Sequence, residues 1–269
     1  MPSVDPQLVS ALLAEVAAAE VMPRFRNLAA GEIRKKQGDE TVTVADEAAE
    51  RALSPRLLDL LPGSVVLGEE AAAADPGLMG RLAGEAPVWL IDPIDGTRNY
   101  AQGKPVFGVM VALVRRNETV AAWIHRPIDA VTFVAERGGG AWRNGARLGV
   151  PAVPESDRAL EGSIRFNVFP EERREALRAR ARAGLGRVGS QFCVAREYPD
   201  IAEGRQHFAL FSKLMPWDHA PGALLVEEAG GRVTKWDGTP YRPSDDRGGI
   251  LVGATREAWR RIREFLAAA

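Results

Sequence analysis

Apolar and polar positions follow two periods along this chain, and the switches between them mark its elements. Residues 6–28 carry Leu8, Leu12, Val16 and Ala19 at helical spacing, which predicts an amphipathic helix. TVTVADEAAERALSPRLLDLLPG reads as a short strand, then a helix from about Asp46 that stops near Pro62 and Gly63. SVVLGEE and APVWLID are apolar runs that fit buried strands. The first delivers Glu69 and Glu70 at its end; the second ends at Asp92, with Asp95 following in the turn. VFGVMVALVRR, TVAAWIHRP and AVTFVAERG are β-rich runs separated by turn residues, which predicts a largely antiparallel meander. The glycine triplet of RGGGAWRNGARL lacks the strand and helix that flank a nucleotide-binding fingerprint, so it reads as a hairpin turn.

After about residue 150 the rhythm changes. EERREALRARARAG is a charged helix with a solvated face, and QFCVAREYPDIAEG a second helix followed by a strand at QHFALF. PWDHAPGALLVEEAGG carries strong helix punctuation: Asp218 can cap its start and Gly230-Gly231 can stop it. Strands at RVTKW and GILVGA and a last helix at REAWRRIREFLAA complete a mixed α/β (α+β) pattern. Two lobes are expected, residues 1–150 with most of the candidate ligands and residues 151–269 supplying Asp218.

Composition narrows the function classes. In 269 residues, 46% are apolar and 26% charged, the balance of an ordinary globular protein with room for a large core. A formal net charge of -1 gives no reason to expect a nucleic-acid or membrane-surface partner. No apolar run reaches membrane-spanning length and MPSVDPQLVS does not read as a signal peptide, so a cytoplasmic protein is expected. The single cysteine, Cys193, excludes an intramolecular disulfide and a cysteine-rich zinc site; it reads as a buried side chain on an apolar helix face. His125, His207 and His219 read as packing residues, and Trp89 and Trp123 as core.

The chemistry concentrates at acids on element ends. Asp92 and Asp95 are like charges beside a buried strand, a costly arrangement unless something positive is bound there. With Glu69 and Asp218 they offer hard oxygen ligands suited to Mg²⁺, which takes a few carboxylates together with water and phosphate oxygens. In DPIDGT, Pro93 holds Asp92 extended, Gly96 lets the backbone approach a ligand, and Thr97 adds a hydroxyl. Free amides at Gly96 and Thr97 suit a phosphate oxygen. An aspartyl-nucleophile phosphatase also uses a D…DGT string, but needs acids two residues apart; here the spacing is three, with proline between.

LGEE, WLIDPIDGTRNY and PWDHAPGALLVEEAGG, in this order, resemble the inositol monophosphatase family of Mg²⁺-dependent, lithium-sensitive phosphatases. VTVADEAAERAL and AERGGGAWRNGARL extend the resemblance over nearly the whole chain. It implies a layered αβαβα sandwich of the inositol monophosphatase and fructose-1,6-bisphosphatase type, often a homodimer, with the site between the lobes. It implies two or three Mg²⁺ (Mn²⁺ being a possible substitute), with Glu69 and the Ile94 carbonyl on the first metal, Asp92 bridging, and Asp95 and Asp218 on the second. Thr97, paired with Glu69 or Glu70, would orient and deprotonate the attacking water, and the Gly96 and Thr97 amides would hold the phosphate. The substrate class is a small phosphorylated metabolite: an inositol phosphate, histidinol phosphate, a sugar phosphate or a phosphoadenosine phosphate.

The departures bear on that choice. Inositol-hydrolysing members of the family carry an acid seven residues before the WD aspartate; this chain has Phe211 there, which points to another alcohol. GSQFCVAREY brings Gln191, Phe192 and Arg196 near the substrate side; Arg196 either contacts an anionic group or forms a surface ion pair, and Arg165 reads as structural. Asp46 either caps a helix, the favoured reading, or contributes to a third, weaker metal. Glu70 is either catalytic or a solvated neighbour of Glu69. The alternative to a phosphomonoesterase is a non-catalytic phospholigand-binding or regulatory protein of the same fold.

Overall fold

The computed structural model describes residues 4–36, 40–149 and 152–268. Helix α1 (Pro6–Val16) starts at Asp5, whose carboxylate accepts the Gln7 amide at 2.8 Å, with Pro6 in the first turn where a missing N–H costs nothing. The helix expected over residues 6–28 is less regular than its apolar spacing implies. It passes into a π turn at Ala17–Val21 and a 3-10 turn at Met22–Arg24, where Pro23 has no amide to continue the ladder. Strand β1 (Ile33–Lys35) pairs antiparallel with β2 (Thr41–Thr43), and Thr43 caps helix α2 (Val44–Leu60). Asp46 therefore lies inside the first turn rather than at the start. Its carboxylate reaches back to the Thr43 amide at 2.9 Å while the Thr43 hydroxyl accepts the Ala45 amide, the reciprocal arrangement that satisfies a helix start.

The first sheet has seven strands, in chain order: β3 (Val65–Gly68), β4 (Val88–Asp95), β5 (Gly108–Arg115), β6 (Glu118–Arg126), β7 (Val131–Glu136), β8 (Gly140–Arg143) and β9 (Ala146–Arg147). From β4 onward all pairs are antiparallel, the expected meander, and the glycine triplet is the turn between β7 and β8. Only β3 and β4 run parallel, joined through the short helix α3 (Glu69–Ala74) and a 3-10 segment. Helix α4 (Thr97–Ala101) follows β4. The second sheet contains β10 (Gly162–Ile164), β11 (Phe208–Phe211), β12 (Arg232–Lys235) and β13 (Ile250–Gly253), in the order β10-β11-β13-β12. Its helices are α5 (Glu171–Gly184), α6 (Val194–Ala202), α7 (Pro216–Glu228) and α8 (Arg256–Ala267).

Alternation along the strands sorts the apolar side chains into layers. Trp89, Ile91, Val109, Val111 and Trp123 of the first sheet pack on α1 and α2, with the Trp89 and Trp123 rings 5.9 Å apart. The opposite face, with Met110, Ile124 and Phe133, packs on α6 and α7, which also meet Ala209, Phe211 and Val252 of the second sheet. The far face of that sheet, through Phe208, Leu210 and Leu251, is covered by α5 and α8. The result is the layered αβαβα sandwich. The lobe boundary expected between residues 150 and 151 lies outside the described residues.

Helix α7 is the middle of this stack and is apolar around nearly its whole circumference, as a helix between two sheets must be. Gly222 lets it approach α6: a Cβ there would lie 2.1 Å from the Tyr198 ring. Cys193 is a buried free thiol at the residue before α6 rather than on its face, and it donates to the Asp95 carbonyl oxygen at 3.8 Å. His125 and His219 are buried neutral packing residues, burial holding each down at about 4.

Candidate active site

Parallel pairing of β3 and β4 places their carboxyl ends side by side, with Gly68 opposite Ile91, so Glu69 and Asp92 leave the sheet together. Three-residue spacing in a regular strand would put Asp92 and Asp95 on opposite faces. The β4–β5 register shifts between Asp92 and Asp95, and this irregularity turns both carboxylates to one side. Asp95 is thus still in the strand, not in a turn after it. The first turn of α7 adds Asp218 from the middle layer. It is the third helical residue, after Met215 at the cap, and does not itself cap the helix. Glu69, Glu70, Asp92, Ile94, Asp95, Gly96, Thr97 and Asp218 all line one cavity of about 910 Å³.

Asp92 is the least compensated acid in this cavity. Asp92 is 2% exposed and its Oδ1 has no hydrogen-bond partner. Burial, then the neighbouring charges of Glu69, Asp95 and Asp218, pushes its carboxyl well above the usual range. Asp218 is raised by burial and by Glu69 and Asp95. Asp95 is pushed up to about 7 by burial, although its carboxylate accepts the Ala195 amide at 2.6 Å. Gly96 adopts φ +84, and a Cβ there would lie 2.8 Å from the Val106 carbonyl oxygen, so its backbone conformation and its packing both require glycine.

Two contributors, Lys36 and Glu50, were not singled out in the sequence, and a third, Asp46, has a contact beyond the two roles read there. Lys36 donates to Glu69 at 2.9 Å and to Glu70 at 2.6 Å; those carboxylates outweigh its burial and hold it above the usual lysine range. Glu70 is pushed up to about 8, chiefly by burial. The Glu50 carboxylate accepts the Glu70 and Ala71 amides at 2.8 and 2.9 Å, anchoring the start of α3, and Gly68 leaves room for it: a Cβ would stand 2.3 Å from the Glu50 carboxyl carbon. Asp46 is the third. Its Oδ1 accepts the Thr97 hydroxyl at 3.0 Å, while that hydroxyl also lies 2.7 Å from the Ile94 carbonyl oxygen. Thr97 is therefore paired with Asp46, not with Glu69 or Glu70, which Lys36 holds. Burial pushes Asp46 up to about 7.

Two expected substrate contacts stand elsewhere. Phe211 is buried in β11 against Tyr198 and His219, with ring centroids 5.1 and 5.0 Å away. Arg196 pairs with Asp200 at 3.0 Å and Asp129 at 3.6 Å and is not on the cavity wall, so the ion-pair alternative describes it. Arg165 pairs with the buried Glu197.

The donor set fits a hard cation: carboxylate oxygens, the Ile94 carbonyl, and a buried Asp92 oxygen without a donor. The acids do not close by themselves into a cage. Among the described residues no three His, Cys, Asp or Glu side chains are arranged to hold an ion. Lys36 on Glu69 and the Ala195 amide on Asp95 keep two of them apart. Mg²⁺ tolerates this, since it commonly takes one or two carboxylates and completes its shell with water and phosphate.

A cavity of clustered carboxylates at the carboxyl ends of parallel strands, in a five-layer αβαβα sandwich, defines a class of phosphate-ester hydrolases. The model of the inositol monophosphatase family matches residues 6–269, and the chain belongs to that family; it is a phosphomonoesterase. It is 31% identical over 264 residues to the Nus factor SuhB of Pseudomonas aeruginosa, covering 94% of this chain and 93% of the relative. It is 32% identical over 233 residues to a histidinol-phosphatase of Chlorobaculum parvum, covering 86% and 85%. A solved Thermotoga maritima IMPase superposes with a TM-score of 0.78 at 25% identity, covering 97% of this chain and 98% of that one.

The raised carboxyls make stability depend on pH and on cations. A group whose folded value is raised stabilises below its unfolded value, and that contribution is lost as pH rises through the folded value. For Asp46 and Asp95 at about 7 and Glu70 at about 8, the loss is still in progress above pH 6.5, where the neutral histidines no longer contribute. In EDTA the Tm is expected to fall between pH 6.5 and 8.5. At pH 8.5, 10 mM Mg²⁺ restores about 5 °C or more, by binding the folded acids alone. Melting curves at both pH values check this; identical curves with EDTA and Mg²⁺ exclude a cation site.

Proposed function

We propose that this phosphomonoesterase is Mg²⁺-dependent and hydrolyses a small phosphorylated metabolite whose leaving alcohol is not myo-inositol. The observation that carries this reading is the buried Asp92 oxygen without a partner, in a cavity that also gathers Glu69, Asp95 and Asp218. Glu69, Asp92 and the Ile94 carbonyl would hold one cation, and Asp92, Asp95 and Asp218 a second. Bound Mg²⁺ supplies the positive charge that keeps these acids ionised, acidifies a water and offsets the developing alkoxide.

The chain's own groups do the rest. The Thr97 hydroxyl donates to Asp46, so its oxygen is free to accept a hydrogen from the attacking water. Asp46, at about 7, is matched to take the proton that Thr97 passes on. The amides of Gly96 and Thr97, where β4 meets α4, bind phosphate oxygens and keep the ester in line. Lys36 holds Glu69 and Glu70 in place. Phe211 in the core leaves no acid at that position to meet polyol hydroxyls, which supports an alcohol other than inositol. A homodimer, inhibition by lithium and a cytoplasmic location belong to the same reading; among the described residues no helix is long and apolar enough to cross a membrane.

Phosphate release from inositol, histidinol, sugar and phosphoadenosine phosphates, with Mg²⁺ and with EDTA, tests the proposal. Release from at least one other ester faster than from inositol phosphate, abolished by EDTA, is expected. No release from any, or release unaffected by EDTA, overturns it.

A further inference from the structure

Phe192 stands out from every other large apolar side chain described. It is 70% exposed, its backbone is held at φ +54, and it lies on the wall of the catalytic cavity with Asp95, Gly96, Thr97 and Asp218. A bulky side chain in the left-handed region persists only where its surroundings over-determine it, and such positions cluster at functional sites. Here they do. The wholly buried Glu197 carboxylate accepts the Ser190 hydroxyl at 2.7 Å, the Gln191 amide at 2.9 Å and the Ser163 hydroxyl at 2.6 Å. Ser190 Oγ in turn accepts the Phe192 amide at 2.9 Å, and Asn99 donates to the Gln191 carbonyl at 3.0 Å. On the other side the Ala195 amide is tied to Asp95. The ring is thus mounted on a rigid loop, three residues from a group that grips a candidate metal ligand.

The same Glu197 holds Arg165, whose guanidinium carbon stands 5.3 Å from the Phe192 ring centroid. A cation over one face draws electron density from the ring and leaves the other face for a π-system. We propose that Phe192, backed by Arg165, is a stacking platform that selects phosphate esters whose leaving alcohol carries a planar aromatic ring. A saturated cyclitol or sugar offers no π-face to that ring. The proposal rests on the phosphomonoesterase reading and narrows its substrate class.

Two esters separate the effects, 2-phenylethyl phosphate and 2-cyclohexylethyl phosphate, which share an alkoxide leaving group and differ in whether the ring is planar. Wild-type kcat/KM for the phenyl ester should exceed that for the cyclohexyl ester by about tenfold, within the range measured for aromatic stacking. Phe192→Leu keeps apolar bulk at an exposed position and should bring the ratio to about one, through KM; Phe192→Trp should keep it. A wild-type ratio near one, or a ratio unchanged in Phe192→Leu, overturns the platform and leaves the phosphatase standing. No phosphate release from either ester or from glycerol 2-phosphate overturns the phosphatase reading, and the platform with it.

Discussion

Asp92→Asn should lower turnover at saturating Mg²⁺ by about a thousandfold or more while leaving the protein folded. A metal clamp contributes several kcal/mol to the transition state, and each 1.36 kcal/mol is about a factor of ten in rate. Asparagine is nearly isosteric, so packing in β4 is kept, but one carboxylate oxygen becomes an NH₂ that cannot coordinate a cation and the other a neutral, weakly coordinating carbonyl. Stability should move the other way. Asp92 Oδ1 accepts no hydrogen bond, and its charge is repelled by Glu69, Asp95 and Asp218, so its neutralisation removes a cost in the metal-free state. The expected pair of results is a collapsed kcat and a Tm in EDTA that is unchanged or higher than wild type. Near-normal turnover would end the assignment of Asp92 as a shared ligand. A sharp loss of Tm would show that the carboxylate has a structural partner.

Thr97→Ala should lower kcat by about a hundredfold with little change in KM, the size expected when a positioned proton-transfer group is lost. Thr97→Ser keeps the hydroxyl that reaches Asp46 and should recover most of the rate. The alanine variant also leaves the buried Asp46 oxygen without its donor, at a stability cost of about 1–2 kcal/mol. Reading kcat and Tm on both variants distinguishes the two roles. If serine restores Tm but not kcat, Thr97 only props up Asp46. Equal turnover in the alanine variant and wild type would remove the Asp46–Thr97 relay.

Much of the site can be read from the sequence because its acids sit where local patterns end. Glu69 follows an apolar run, Asp92 and Asp95 flank a proline, and Asp218 stands beside Trp217 at a helix start. What could not be read is set by packing across the chain. Asp46 and Thr97 are 51 positions apart and meet only once α2 lies across the end of β4. A helix start explains an aspartate by itself, so nothing local reveals the second use of its carboxylate. Lys36 sits in a basic stretch that resembles ordinary surface, and its contact with Glu69 spans 33 residues. Phe211 stands where the family resemblance implies an acid, but strand alternation turns its ring into the core, and the aromatic at the cavity is Phe192. Arg196 lies one helical turn from Asp200, close enough for a local ion pair to claim it. The strand expected to stop at Asp92 runs on to Asp95 because a register shift, invisible to periodicity, lets it continue.

The position of α7 has a bearing on how the protein comes into being. Synthesis delivers Glu69, Asp92 and Asp95 first, and a nascent chain without residue 218 holds an acidic cluster with one corner missing. On the proposed two-cation reading, that corner rides on a helix wedged between both sheets, so the site would be complete only once α7 has docked. Phosphate release would then be a built-in report of finished assembly, and a molecule with α7 out of place would stay silent toward phosphate esters.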